Sequence, residues 1–185
     1  MASANDDAAG PTAREPGKPD TAITDTDLTD IFDVTVRVET RLWALVEQRL
    51  EEGDAISVTS YDVLRTLLSL GTCRPGDIAA HLGITSGGMT KVLDRMERDG
   101  LLERQPNEQD RRSSLIAVTP AGRRAFDKAQ PLVEATMREV IAKSGRSPIE
   151  IASLREVLVA LNEALGDAPT NTRACPTRRG SARRA

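Results

Sequence analysis

The chain has 185 residues, enough for one domain with ragged ends, and a formal net charge of −3, so bulk electrostatics do not point to nucleic acid. Aromatic residues are 2% of the chain, so the core has to be built from Leu, Val, Ile and Ala, which suits helices better than a sandwich of strands. Two distant cysteines, Cys73 and Cys175, make no disulfide framework, and a single histidine, His81, leaves no cluster for zinc or another soft metal. No run approaches the roughly 18 apolar residues of a membrane helix. The start lacks the basic and apolar regions of a signal peptide. The expectation is a soluble cytoplasmic protein without cofactor, metal or membrane partner.

Residues 1–23 are rich in Ala, Asp, Gly, Pro and Thr and read as a disordered acidic segment. Residues 1–33 hold eight acidic groups against Arg14 and Lys18, and residues 167–185 hold five arginines against Asp167. Residues 24–56 read as an N-terminal helix. Leu28, Ile31, Thr35, Val38, Leu42 and Leu45 step by three and four along one stripe, and Phe32, Val36, Trp43, Val46 and Leu50 make a second, apolar one beside it. Two stripes predict two packing partners, and Gly53 marks the stop. Thr59 or Ser60 can cap the next helix, which ends at Gly71.

Arg74-Pro75-Gly76 opens a short helix with Pro near its first position and Asp77 in its first turn. Gly83 closes it in a left-handed conformation, and Thr85 caps the helix that follows. That helix buries Met89, Val92, Leu93 and Met96 at i, i+3, i+4, i+7 spacing, which leaves Gly87, Thr90, Lys91, Asp94 and Arg98 on its other side. Strands follow at 101–105 and 113–119 around a polar loop. Thr119-Pro120 starts a long helix that Pro131 should kink. Ser147-Pro148-Ile149-Glu150 is a capping box for the last helix. Two short helices on a glycine turn, then a hairpin, define a winged helix-turn-helix: mainly α, with a small β-hairpin wing.

The stretch from Asp77 to Arg123, DIAAHLGITSGGMTKVLDRMERDGLLERQPNEQDRRSSLIAVTPAGR, resembles the MarR (multiple antibiotic resistance regulator) family. The most specific pieces are Asp110-Arg111-Arg112 and the run Val118–Gly122. The resemblance implies a DNA-binding lobe over 57–119, set between dimerisation helices at 24–56 and 120–166; the basic stretch from 167 reads as a disordered tail by its composition. It implies that the helix after Thr85 enters the major groove, with Thr85, Ser86, Gly87, Thr90 and Lys91 at the duplex. It implies that Arg111 or Arg112 enters a narrow minor groove. Asp110 would brace Arg112, and Arg95 would brace the wing. It also implies a homodimer on a near-palindromic operator, acting as a repressor released by a small aromatic or phenolic ligand beside Trp43 and Tyr61.

Each residue also has an ordinary reading. Between residues 85 and 124 basic groups number eight and acidic groups six, so Arg98, Arg104, Arg123 and Arg124 fit a solvated face. Cys73 fits a small buried apolar position. The rival functions are a winged-helix protein-interaction module and a nonspecific DNA-binding protein. No constellation points to an enzyme.

Overall fold

The computed structural model describes residues 23–110 and 112–166; the acidic head, the basic tail and Arg111 lie outside the described residues. Two units separate in the chain, one up to Glu39 and one from Thr40 onward. The helix α1 spans Asp25–Glu52. At its start the Asp27 carboxylate accepts the Thr24 N–H at 3.0 Å and the Thr24 hydroxyl at 2.7 Å, and Thr24 Oγ1 accepts the Asp27 N–H. These bonds, the backbone one first, hold the Asp27 carboxyl below its usual value. In the first unit Leu28, Ile31 and Phe32 are exposed, with Phe32 at 67%.

In the second unit the end of α1 does pack. Val46 and Leu50 meet Val58 and Ala129, with Leu132 and Val133 alongside. Glu47 reaches across and accepts the Val58 N–H at 2.7 Å, capping α2 (Val58–Leu70) from a different helix. The side-chain cap of α2 is Ser57, which accepts from the Ser60 N–H, rather than Thr59 or Ser60. Starting the helix there lets Val58 be buried. As expected, α1 stops directly before Gly53. The left-handed residue is Asp54, at φ 49°. A Cβ on Gly53 would lie 2.4 Å from a Leu132 methyl, so this glycine is what lets α1 meet the later helix closely.

The main core joins Val63, Leu64 and Leu67 of α2 with Ile78 and Ala79 of α3 (Pro75–His81) and Met89, Leu93 and Met96 of α4 (Ser86–Arg98). Leu102 of β1 (Leu102–Pro106), Ile116 of β2 (Ser114–Val118) and Phe126 of α5 (Pro120–Ser144) complete it. The strands pair antiparallel, Leu102 opposite Val118 and Pro106 opposite Ser114, and Cys73 adds a bridge to Ile116. Cys73 is fully buried in this core. The period-two pattern expected of β2 gives way at Ile116 and Ala117, which are both buried because β2 packs against α2, α3 and α5. The long helix α5 continues through Pro131 as one element, with that residue exposed.

The last helix, α6, spans Pro148–Leu165 and carries the capping box its sequence spells out. Ser147 Oγ accepts the Glu150 N–H at 3.3 Å, and Glu150 accepts the Ser147 N–H at 2.8 Å. The backbone bond from Ser147, then its hydroxyl, then Arg146 lower the Glu150 pKa from 4.5. A carboxyl lowered on folding stabilises above its unfolded value, and that contribution is lost as pH falls through the folded value. Glu150 followed by NMR is therefore expected to titrate below 4.5. Acid loosening of the α6 amides should be smaller in Glu150→Gln; a Glu150 midpoint at or above 4.5 contradicts the cap.

Candidate nucleic-acid interface

The helix pair α3–α4 turns on Leu82, Gly83 and Ile84. Gly83 takes φ 63°, a conformation that side chains with a Cβ resist. Ile84 N–H donates to Ala79 O at 3.0 Å, which closes the turn. Thr85, in extended backbone, caps α4 by accepting the Gly88 N–H. With Met89, Leu93 and Met96 buried, Thr85, Ser86, Gly87, Thr90 and Lys91 share the exposed side. The Thr90 hydroxyl donates to Ser86 O at 2.9 Å. Its hydrogen is thus spent inside the helix, which leaves lone pairs and a methyl for an outside partner. The two glycines differ. Gly88 is crowded, since a Cβ there would stand 3.1 Å from Thr85 Oγ1, whereas a Cβ on Gly87 would meet nothing within 4 Å.

The wing loop is held by its own polar groups. The buried Asn107 side chain donates to Ser113 Oγ at 2.8 Å and accepts the Gln109 N–H at 3.1 Å. Ser113 N–H and Oγ both donate to Asp110 O. The Asp110 carboxylate accepts the Arg112 backbone N–H at 3.1 Å and faces the Arg74 guanidinium at 4.0 Å. Among the described residues the cation facing Asp110 is Arg74, from the start of α3, and what Arg112 offers Asp110 is its N–H. The Arg112 side chain lies exposed. Arg95 pairs with Asp99 on its own helix at 3.8 Å. The residue that does tie the wing to α4 is Arg104, which sequence reasoning placed on a solvated face. Its Nε donates to Glu97 at 2.8 Å and its Nη2 to Asp94 at 2.6 Å. These carboxylates, Glu97 first, hold the guanidinium even more firmly protonated than usual.

Trp43 lies 41% exposed on α1. Tyr61 packs inward, its ring stacked on Phe126 with centroids 5.1 Å apart, and burial raises its pKa. Among the described residues no group of three or more His, Cys, Asp or Glu could hold a metal, and no helix is long and apolar enough to cross a membrane.

A tight helix pair, an exposed face on the second helix and a braced hairpin make this lobe a winged helix-turn-helix. Residues 56–114 match the model of the MarR family. BadR, the transcriptional activatory protein of Rhodopseudomonas palustris, is 40% identical over 67 residues, which is 36% of this chain and 38% of BadR. This chain thus spans well under two thirds of that relative. A MarR family regulator from Rhodococcus sp. RHA1 superposes with a TM-score of 0.66 at 25% identity, covering 75% of this chain and 96% of that one. A Streptomyces coelicolor MarR family regulator solved in complex with DNA shares the fold at TM-score 0.68 and 17% identity, over 83% and 97% of the two chains. Through this lobe the chain resembles the MarR family.

Proposed function

We propose that this protein is a homodimeric, sequence-specific DNA-binding transcriptional regulator of the cytoplasm. The observation that carries the reading is the exposed side of α4. It keeps Gly87, a poor helix former that nothing inside the protein requires, between Ser86 and the back-bonded Thr90, with Lys91 adjoining. A missing side chain there suits a duplex approaching the helix. Thr85, Ser86, Thr90 and Lys91 are its polar contacts in the major groove. In the wing, Arg112 and Arg111 supply charge to the minor groove.

A second copy is the partner for the exposed apolar residues of α6 and, separately, of the start of α1. A two-fold dimer sets two recognition helices roughly 34–36 Å apart, so the operator is a near-palindrome. Repression is the sign that occupancy of a promoter gives by itself. A small aromatic or phenolic effector is the remaining element of the reading, with Trp43, exposed as it is, the candidate contact. The test is Arg111→Ala. It is expected to weaken operator binding by about 1–3 kcal/mol if that side chain enters the groove. Unchanged affinity removes its role and leaves Arg112 as the wing contact.

A further inference from the structure

Arg104 lies on β1, opposite Ile116 of β2. Its two carboxylate partners, Asp94 and Glu97, stand three residues apart on α4, so both face one side of that helix. The Arg104 side chain is only about a third exposed, and both bonds are short. The chain between α4 and β1 is just Asp99, Gly100 and Leu101, with Gly100 at φ 71°. The base of the hairpin is seated in the core by Leu102 and Ile116, and Arg104 adds the polar tie from β1 to α4. The contact at the other end of the wing, Arg74 to Asp110, is 4.0 Å long and no hydrogen bond.

We propose that Arg104 is a positioning residue for DNA recognition, a latch that fixes the wing against α4 so that both meet the duplex in one geometry. This rests on the DNA-binding reading above. The guanidinium suits the task because its planar fork reaches two carboxylates at once, which a lysine ammonium does not do in a fixed geometry. The latch also offsets one of the two negative charges that Asp94 and Glu97 place on the helix that faces a polyanion. Arg104 is thereby separated from Arg111, Arg112 and Lys91. Those side chains act on DNA, and Arg104 acts through the wing.

The experiment uses the full chain and two readouts. Without DNA, amide exchange at β1 and β2 is expected to quicken in Arg104→Ala while the buried α2 amides keep their protection. Arg104→Lys should restore only part of it. With the operator, Arg104→Ala is expected to lose roughly tenfold in affinity, the size of coupling common within one ion-pair network, at an unchanged salt slope. The combined change Asp94→Asn and Glu97→Gln removes negative charge near DNA. It should nevertheless weaken binding when Arg104 is present and strengthen binding when Arg104 is alanine. Unchanged hairpin exchange in Arg104→Ala overturns the latch. So does a salt slope that drops by about one together with carboxylate changes that strengthen binding in both backgrounds, for then Arg104 is a phosphate ligand. If the wild-type chain binds no duplex, the regulatory reading falls, and the hairpin exchange still decides whether the wing is latched.

Discussion

Replacing Gly122 by alanine is expected to lower the melting temperature on the order of 10 °C, a loss of about 3 kcal/mol or more. Gly122 stands in the first turn of α5, directly over the carbonyl that ends the α4–β1 joint. A Cβ there would lie 2.1 Å from Leu101 O and 3.0 Å from Leu101 C. Those are backbone atoms and cannot rotate away. They are also tied in place: Thr119 N–H donates to Leu101 O, the Thr119 hydroxyl donates to Gly100 O at 2.6 Å, and Thr119 Oγ1 accepts the Gly122 N–H at 3.0 Å. Seating α5 on this corner holds the long helix against the base of the wing, so the methyl has to pry the two apart. Gly87→Ala makes the contrast. With open space at that Cβ, it should leave stability unchanged or raise it by about 0.5 kcal/mol. Its loss should show only in operator affinity. A Gly122→Ala protein that melts within about 2 °C of wild type contradicts the packing at Leu101.

Charging the apolar face of α6 is expected to separate the proposed dimer and, with it, most operator binding. No residue of α6 is buried within the single chain, while Leu154, Leu158 and Leu161 are each about half exposed. A helix with that much apolar surface in water needs a partner. Leu158→Glu with Leu161→Glu puts two charges into whatever covers it. Sedimentation should then report a monomer. Affinity for a two-half-site operator should fall on the order of a hundredfold, because two linked half-site contacts become one. The main core lies in α2 to α5 and contains no α6 residue, so the lobe should keep its own melting transition. A variant that stays dimeric means that α6 is covered by something other than a second copy.

Much of the helix-turn-helix was legible because its signals are local. Met89, Leu93 and Met96 are buried as their spacing requires, Thr85 and Thr119 cap the helices they precede, and Gly83 is left-handed. Each signal depends on residues within one or two turns. What escaped depends on distant partners. Glu47 caps a helix that begins eleven residues later. Among Ser57, Thr59 and Ser60 the choice of cap was settled by burying Val58. Gly122 is defined by a carbonyl at Leu101, and its value was visible in the sequence only through the family motif that contains it. Arg104 was hidden for a related reason. Asp94 and Glu97 read as part of a mixed, solvated face, and only the return of the hairpin brings the arginine to them. The Pro106-Asn107 dipeptide before the wing did carry a signal, since asparagine favours turns made by its own side chain. The stacking of Tyr61 on Phe126, far along the chain, likewise lies beyond the reach of local spacing.

In the proposed regulator, two copies of this chain read one operator. Selection of random-sequence duplexes by the purified protein, over several rounds at moderate salt, tests it most directly. Enrichment of a single near-palindrome is expected, with half-sites about one helical turn apart and A·T-rich sequence where the wings fall. Salt-sensitive binding that enriches no sequence, or no binding even at low salt, would contradict it, the first leaving a nonspecific DNA-binding protein and the second a winged helix that serves protein contacts.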